Sequence, residues 1–181
     1  KNKGDNVIII LGMAGAGKST QCKKLEANGG YQWFSVGQHL REVEEGAEKA
    51  EMAQGKVLDD AIVTPIVRDE LRRMADNPEI LLDGCPRTVG QARWLASAIE
   101  TPNVRAVLHL VVDDKTAIER LLKRKREDDT EEAVKRRFEG YHRDIGLVLS
   151  EFEKQSIRIF EVDASRSEDQ VFQELKEVLS L

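Results

Sequence analysis

Short runs of apolar residues alternate with amphipathic segments along the whole chain. The clearest run is V-I-I-I-L at residues 7–11, which is rich in β-branched residues and followed by a glycine. Such a run is typical of a buried strand in a parallel sheet. Four more strands are predicted, at residues 31–35, 79–83, 104–112 and 157–162. Because helical segments separate these strands, the pattern predicts a parallel sheet with helices on both faces.

Helical periodicity fills the intervals between the predicted strands. The predicted helices cover residues 18–27, 37–45, 47–54, about 60–74, 88–100, 115–126, 130–153 and 167–179. Asp59 and Asp60 offer an N-cap for the fourth of these helices, but Pro65 lies within it. Either Pro65 kinks that helix, or the helix begins later with Thr64 as its cap.

The composition suits one folded domain spanning residues 1–181, since 40% of the residues are hydrophobic and 34% are charged. The net charge of −5 argues against a nucleic-acid partner held by a broad basic face. The longest apolar run is far too short to cross a bilayer, so no membrane partner is expected either. We expect the domain to act as a monomer.

The two cysteines, Cys22 and Cys85, are far apart in the sequence. Without a C-x-x-C pair, neither a structural zinc site nor a disulfide framework is expected. The sequence also has no segment with the pattern of a signal peptide. These features favour a reducing, cytoplasmic location.

The strongest local motif is G-M-A-G-A-G-K-S-T at residues 12–20, which fits the phosphate-loop pattern G-x-x-x-x-G-K-[ST]. A predicted buried strand leads into it and a predicted helix leads out, as the mechanism requires. The glycines let backbone N–H groups converge on phosphate oxygens, and the helix N-terminus adds partial positive charge. Lys18 can reach the outer phosphates and the Ser19 hydroxyl can ligate Mg²⁺. A chance glycine-rich turn is disfavoured, because four positions of the pattern match in the right context.

Asp83 ends the third predicted strand, directly before Gly84. In phosphate-loop enzymes an acid at this point usually orients Mg²⁺ through water, although an aspartate before glycine can also serve only a turn. Parallel sheets place ligands at the carboxyl ends of their strands, where the phosphate loop also begins. Ser19 and Asp83 are therefore the predicted magnesium residues.

Five segments of the chain resemble the adenylate kinase family, at residues 12–22, 35–41, 55–60, 82–88 and 120–129. The resemblance implies an α/β fold of the P-loop NTPase type, with a five-stranded parallel sheet and helices on both faces. It also implies a small helical flap for the nucleoside monophosphate and a lid over the phosphates. The flap would cover about residues 36–65. The lid would be a minimal turn at about residues 124–130, because only Lys125 separates Arg124 from Arg126.

The resemblance further implies that the chain transfers the γ-phosphoryl group of Mg·ATP to a nucleoside monophosphate, with AMP as the first choice. In such a reaction, positively charged groups bind both nucleotides and neutralise the transferring phosphoryl. The implied catalytic residues are Lys18, Arg87, Arg124, Arg126 and Arg137. The implied ATP-binding residues are Gly12, Ala14, Gly15, Ala16, Gly17, Lys18, Ser19, Thr20, Arg120 and Arg124, with Arg120 stacking on the adenine.

The acceptor side is implied by the same resemblance, with Arg41 and Arg87 clamping the acceptor phosphate. The implied AMP-binding residues are Val36, Arg41, Lys56, Val57, Leu58, Gly84, Arg87, Gln91, Arg126 and Arg137. Gln91 matches the glutamine that reads the acceptor base in adenylate kinases; otherwise it is a glutamine on the solvent-facing side of a helix. Arg136 is predicted to point away from this site.

Departures from the family pattern keep other functions open. Val36 and Gln38 stand where the family usually has threonine and aspartate. One alternative is a UMP/CMP kinase or another monophosphate kinase on the same scaffold. A second is a catalytically weak nucleotide-binding regulator, and a third is a small-metabolite kinase of the shikimate or gluconate type. Asp128 and Asp129, near the lid, either pair with arginine or lysine or cap the long helix that follows.

Overall fold

The predicted alternation of strands and helices is present in the computed structural model, which describes residues 5–43, 45–76, 79–99, 101–124, 126 and 129–180. In chain order the elements are β1 (Asp5–Leu11), α1 (Lys18–Asn28), β2 (Gln32–Ser35), α2 (Val36–Val43), α3 (Gly46–Ala53), α4 (Asp60–Arg73), β3 (Ile80–Asp83), α5 (Val89–Ser97), β4 (Asn103–Val111), α6 (Asp114–Arg124), α7 (Glu131–Glu153), β5 (Arg158–Asp163) and α8 (Glu168–Leu179).

The five strands form one parallel sheet in the order β2-β3-β1-β4-β5. The first strand is therefore central, with β3 on one side and β4 on the other. Ile10 of β1 pairs with Asp83 of β3, so the segment after β1 and the carboxyl end of β3 emerge side by side. This register brings the phosphate loop next to Asp83, as the sequence predicts.

The central strand is buried on both of its faces. Val7, Ile9 and Leu11 contribute to one apolar cluster, which α4, α5 and the second half of α7 cover. Ile8 and Ile10 contribute to a second cluster, covered mainly by α1, α6 and α8. The prediction of a parallel sheet with helices on both faces is thus confirmed, and the two layers hold the strand ends in a fixed arrangement.

The start of α4 distinguishes between the two interpretations of Pro65. The helix begins at Asp60, with the Asp59 side chain accepting a hydrogen bond from the Ala61 backbone N–H at 2.8 Å, and Pro65 lies inside it. The later start capped by Thr64 is therefore wrong. Proline costs the helix one backbone hydrogen bond, but the Asp59 cap and the burial of Val63 and other apolar residues outweigh that cost.

The helices on either side of the predicted lid turn differ slightly from the prediction. The sixth helix ends at Arg124, so Arg126 lies beyond its end rather than within it. The seventh runs without interruption from Glu131 to Glu153. None of the helices in the described part of the chain is long and apolar enough to cross a membrane.

Candidate active site

A cavity of about 600 Å³ lies at the carboxyl ends of the central strands. The phosphate loop forms its floor, together with Asp83 and Gly84 at the end of β3 and Ser35 at the end of β2. Six arginines that the sequence analysis selected also line it: Arg41, Arg87, Arg120, Arg124, Arg126 and Arg137. They come from three helices and two connecting segments, so the fold collects them from distant parts of the sequence.

The phosphate loop curls tightly between β1 and α1. Gly15 has a φ of +86°, and a β carbon there would lie 2.5 Å from the carbonyl oxygen of Ala117 in α6, so only glycine fits. The loop ends where α1 begins at Lys18, so the N-terminus of that helix faces the cavity. Backbone N–H groups and the helix dipole there favour a phosphate.

Lys18 lies within the curl of this loop. Its Nζ donates hydrogen bonds to the carbonyl oxygens of Gly12 at 2.7 Å and Met13 at 3.0 Å. Burial lowers the pKa of Lys18, while the nearby charge of Asp83 acts in the opposite direction. An incoming phosphate would give the ammonium group charged oxygen partners in place of neutral carbonyls, which are weaker acceptors.

Ser19 and Asp83, the predicted magnesium residues, are in contact. The Ser19 hydroxyl donates to a carboxylate oxygen of Asp83 at 3.2 Å, and Asp83 is buried. A hydroxyl and a carboxylate are hard oxygen ligands, which suit Mg²⁺ held largely by water and nucleotide phosphates. Among the described residues, no group of three or more His, Cys, Asp or Glu side chains could hold a metal by itself.

Asp129 joins two of the predicted catalytic arginines. Arg124 donates to its two carboxylate oxygens at 2.9 and 2.7 Å, and Arg137 donates to one of them at 2.9 Å. The Asp129 side chain is only 5% exposed. Burial alone would raise the pKa of this carboxyl group, but the hydrogen bonds and charges of the two arginines lower it overall. Of the two roles weighed for Asp129, arginine pairing is observed.

The cap of α7 is Thr130, whose side chain accepts a hydrogen bond from the Ala133 backbone N–H. Asp129 therefore does not cap the helix itself. Asp128, for which the sequence analysis weighed the same two roles, lies outside the described residues, as do Lys125 and Glu127 of the predicted lid turn.

Replacing Asp129 by asparagine is expected to lower the free energy of unfolding by about 1–3 kcal/mol at pH 7, since two arginines lose a buried charged partner. Because the pKa of Asp129 is lowered in the folded chain, its stabilising effect exists above the ordinary carboxyl pKa of about 3.9. The effect should disappear as the pH falls through the lowered value. Urea unfolding of both proteins between pH 3 and pH 7 measures it.

The matched control for this experiment is Asp144→Asn, which breaks the more exposed ion pair of Asp144 with Arg143. Its expected cost is about 0–1 kcal/mol. An equal cost for the two variants at pH 7 would contradict the assignment of Asp129 as the residue that holds the two arginines.

A smaller pocket, called the side pocket here, adjoins the large cavity. Most of its wall is apolar, and Lys56, Arg87 and Gln91 contribute polar or charged groups. It is lined by Val36, Gly37, Leu40, Met52, Lys56, Val57, Leu58, Val63, Gly84, Arg87 and Gln91. Every residue selected for the acceptor thus lines the side pocket or the large cavity. Gln91 is buried, so the alternative interpretation of Gln91 as a glutamine on the solvent-facing side of a helix is wrong.

The end of α3 packs against the start of α7, and we call this contact the flap seam. Arg136 donates to the Gln54 carbonyl at 3.0 Å, and Arg137 donates to the Met52 carbonyl at 3.4 Å. A β carbon at Gly55 would collide with the Ala133 carbonyl. Arg136 is not among the residues that line the large cavity, and its bond to the Gln54 carbonyl was not predicted from the sequence. No local signal could have revealed it, because the two partners are 82 residues apart.

The lining of the large cavity also includes Arg166, which was not predicted from the sequence. It lies in the segment after β5, and its carbonyl oxygen is 3.5 Å from an Nη atom of Arg120. Leu121, Ala164 and Val171 provide apolar wall beside these two arginines. The rule that parallel sheets bind ligands at the carboxyl ends of their strands could have indicated Arg166.

Comparison with known proteins agrees with this geometry. The family model described as adenylate kinase matches residues 10–157. An adenylate kinase of Parasynechococcus marenigrum is 35% identical over 181 residues, covering 96% of this chain and 98% of the relative. An adenylate kinase of Methanosarcina barkeri is 32% identical, covering 95% and 97%. Adenylate kinase isoenzyme 1 of Gallus gallus is 32% identical, covering 97% and 94%.

Proposed function

The chain belongs to the adenylate kinase family, and from this premise we propose that it transfers the γ-phosphoryl group of Mg·ATP to AMP, giving two molecules of ADP. The observation that carries the proposal is the convergence of Lys18 and six arginines on one cavity beside an apolar side pocket. Such a cavity can bind two polyphosphates with their reacting ends together. A site that bound only one nucleotide would not require so many positive groups around one cavity.

The chemistry needs positioning and charge neutralisation rather than a covalent intermediate. The acceptor phosphate is already a nucleophile near neutral pH, so no general base is needed. Lys18 and the phosphate-loop N–H groups would hold the donor phosphates, and Arg41 and Arg87 would hold the acceptor phosphate. Holding both in line converts a bimolecular reaction into an effectively unimolecular one.

The arginines at the junction of α6 and α7 would neutralise charge that develops during transfer. Arg124 and Arg137 are already held in the cavity by Asp129, so little reorganisation is needed when the phosphates arrive. Preorganised charges of this kind provide much of the stabilisation of a transition state. Arg126 lines the same cavity and would contact the transferring group from the lid side.

Magnesium would be held by the Ser19 hydroxyl and, through water, by Asp83. When bound, it would neutralise part of the charge of the ATP phosphates. The chain's own residues, Lys18 and the arginines, would orient both nucleotides around it.

We further propose that one copy of the chain is sufficient, because residues of a single chain line both nucleotide sites. We also propose that the protein acts in the cytoplasm, without nucleic acid or a membrane as a partner.

Residues 36–65 would form the flap for the acceptor, and the turn at about residues 124–130 would form the lid. The support for the flap is that α2, α3 and the start of α4 line the side pocket. Closure over the substrates would exclude water from the reacting phosphates. In this chain the flap meets α7 directly at the flap seam, next to a lid of few residues.

Replacing Gly55 by alanine is expected to lower kcat/KM for AMP by about tenfold, because the added methyl group forces the flap away from α7. The matched control is Gly46→Ala, since Gly46 also has a positive φ, but among the described residues no atom outside its own turn lies within 4 Å of the added β carbon. Steady-state kinetics with AMP varied at saturating ATP measures the difference. Equal losses in the two variants would show that backbone strain, rather than the flap seam, is responsible.

An acceptor screen tests the proposed function. The purified protein is mixed with Mg·ATP and, in turn, AMP, UMP, CMP, GMP, shikimate or gluconate, and ADP formation is followed by a coupled assay. We expect the highest rate of ADP formation with AMP. We also expect the reverse reaction, in which ADP gives ATP and AMP. A preference for UMP or CMP would instead support the related monophosphate kinase. ATP binding without turnover on any acceptor would support a regulator.

A further inference from the structure

Gln91 is held by protein groups at both ends of its amide. Its Oε1 accepts a hydrogen bond from the Arg87 backbone N–H at 2.7 Å and lies 3.5 Å from the Cys85 thiol. Its Nε2 donates to a carboxylate oxygen of Asp60 at 2.9 Å. The residue is almost wholly buried yet lines the side pocket. The amide is therefore fixed before any ligand arrives.

The chemistry of these partners allows only one orientation of the amide. The Asp60 carboxylate can only accept a hydrogen bond, and the Arg87 backbone N–H can only donate one. A flipped amide would place oxygen against oxygen at Asp60 and N–H against N–H at Arg87. Both clashes would be buried, where unsatisfied polar groups cost most.

Asp60 is itself held in place. The Thr88 hydroxyl lies 2.9 Å from both of its carboxylate oxygens and donates to them. Gly90 provides the space, since a β carbon there would lie 2.6 Å from one of those oxygens. Asp60 is the first residue of α4 and Thr88 caps α5, so two helices define the position of the carboxylate.

The fixed orientation limits what Gln91 can offer to a base in the side pocket. The Arg87 N–H and the Cys85 thiol occupy Oε1, and Asp60 takes one of the two hydrogens on Nε2. One N–H donor is left. Adenine has an unprotonated ring nitrogen on its pairing edge and can accept from that donor. Hypoxanthine, guanine and uracil carry an N–H at the corresponding position, which would face it unfavourably.

We propose that Asp60 is a specificity-determining residue that acts through Gln91. Asp60 fixes the Gln91 amide so that its remaining N–H is the group available to the base. This arrangement selects nucleoside monophosphates whose base has, on its pairing edge, a ring nitrogen that accepts a hydrogen bond. It thereby excludes bases that carry a proton there. This inference rests on the proposed function, because it concerns the base of the acceptor in the same site.

The test compares AMP with IMP, whose bases have the same size and differ at the pairing edge. The wild-type protein is expected to favour AMP in kcat/KM. In Asp60→Asn the ratio of kcat/KM for AMP to that for IMP should fall by about tenfold or more, because asparagine can donate as well as accept and so removes one of the two clashes that oppose a flipped amide. The control Asp59→Asn makes the same charge change one residue earlier and keeps an N-cap side chain, so its ratio should equal that of the wild type.

A purely structural role for Asp60 would lower both kcat/KM values equally and leave the ratio unchanged, which would overturn the inference. A second variant, Gly90→Ala, displaces the carboxylate without removing its charge and should lower the ratio in the same direction. If Asp60→Asn does not fold, the ratio for Gly90→Ala decides the question by itself. A wild-type protein that makes no ADP from ATP and AMP refutes the proposed function first. Wild-type activity with unchanged ratios in both variants refutes only the role of Asp60.

Discussion

Replacing Lys18 by methionine is expected to lower kcat/KM for the transfer from ATP to AMP by about 10²–10⁴-fold. Among the described residues, Lys18 is the one lysine whose ammonium group lies inside the curl of the phosphate loop. There it donates hydrogen bonds only to neutral carbonyl groups. In the reaction it would neutralise the outer phosphates of ATP. Methionine keeps most of the length of the side chain but offers no charge or donor to the transferring phosphoryl.

The fold should survive this substitution, because β1 and α1, on either side of the loop, are held by the two apolar clusters rather than by Lys18. Circular dichroism and thermal unfolding check that point. Lys135→Met is the matched control, since Lys135 forms only an exposed ion pair with Glu139 on α7. Near-normal turnover by folded Lys18→Met protein would refute the proposed site.

Replacing Arg87 by alanine is expected to lower kcat/KM by about 10²–10⁴-fold, for a different reason. A guanidinium group can bind two phosphate oxygens at once, and each charge-assisted hydrogen bond contributes about 1.5–3 kcal/mol. Arg87 is exposed at the junction of the large cavity and the side pocket, and its Nε donates to the Gly84 carbonyl at 3.2 Å. That position suits a group that holds the acceptor phosphate toward ATP.

Arg87→Lys separates charge from geometry. Lysine keeps the positive charge but cannot bind two oxygens in a plane, so we expect it to recover only part of the lost activity. The control Arg73→Ala removes an exposed arginine that pairs with Glu70 on α4, and its kinetics should match the wild type. Full activity in Arg87→Lys would show that binding two phosphate oxygens in one plane is unnecessary. Full activity in Arg87→Ala would remove Arg87 from the acceptor site.

Much of the fold could be predicted because its signals are local. The apolar run at residues 7–11 and the glycine pattern after it specify a strand, a phosphate loop and a helix over consecutive residues, and the structure contains all three. Thr88 and Ser167 precede two helices and cap both of them. Helix ends shifted by a few residues where several residues could begin or end a helix.

The candidate site was predictable only where a motif carried it. The phosphate loop, Asp83 and five of the six arginines stand in recognisable segments, Arg137 follows the last of these segments, and the structure brings all of them to one cavity. Arg166 and Arg136 belong to no such segment, and their positions follow from how β5 and α7 lie against the rest of the fold. Asp60 was considered only as a helix cap, and its contact with Gln91 had no counterpart in the local pattern.

The sequence by itself determined the alternation of strands and helices, the phosphate loop and the set of charged residues available for chemistry. Only the tertiary structure decided the strand order, the sharing of Asp129 by two arginines, the flap seam and the orientation of the Gln91 amide. For the strand order, the flap seam and the Gln91 amide, the physical reason is distance along the chain; Asp129 is only 5 and 8 residues from its two arginines, and there the structure decided between pairing and capping. Periodicity and capping act over a few residues, whereas the bond from Arg137 to Met52 spans 85 residues and that from Gln91 to Asp60 spans 31. Such contacts exist only once packing has brought the segments together.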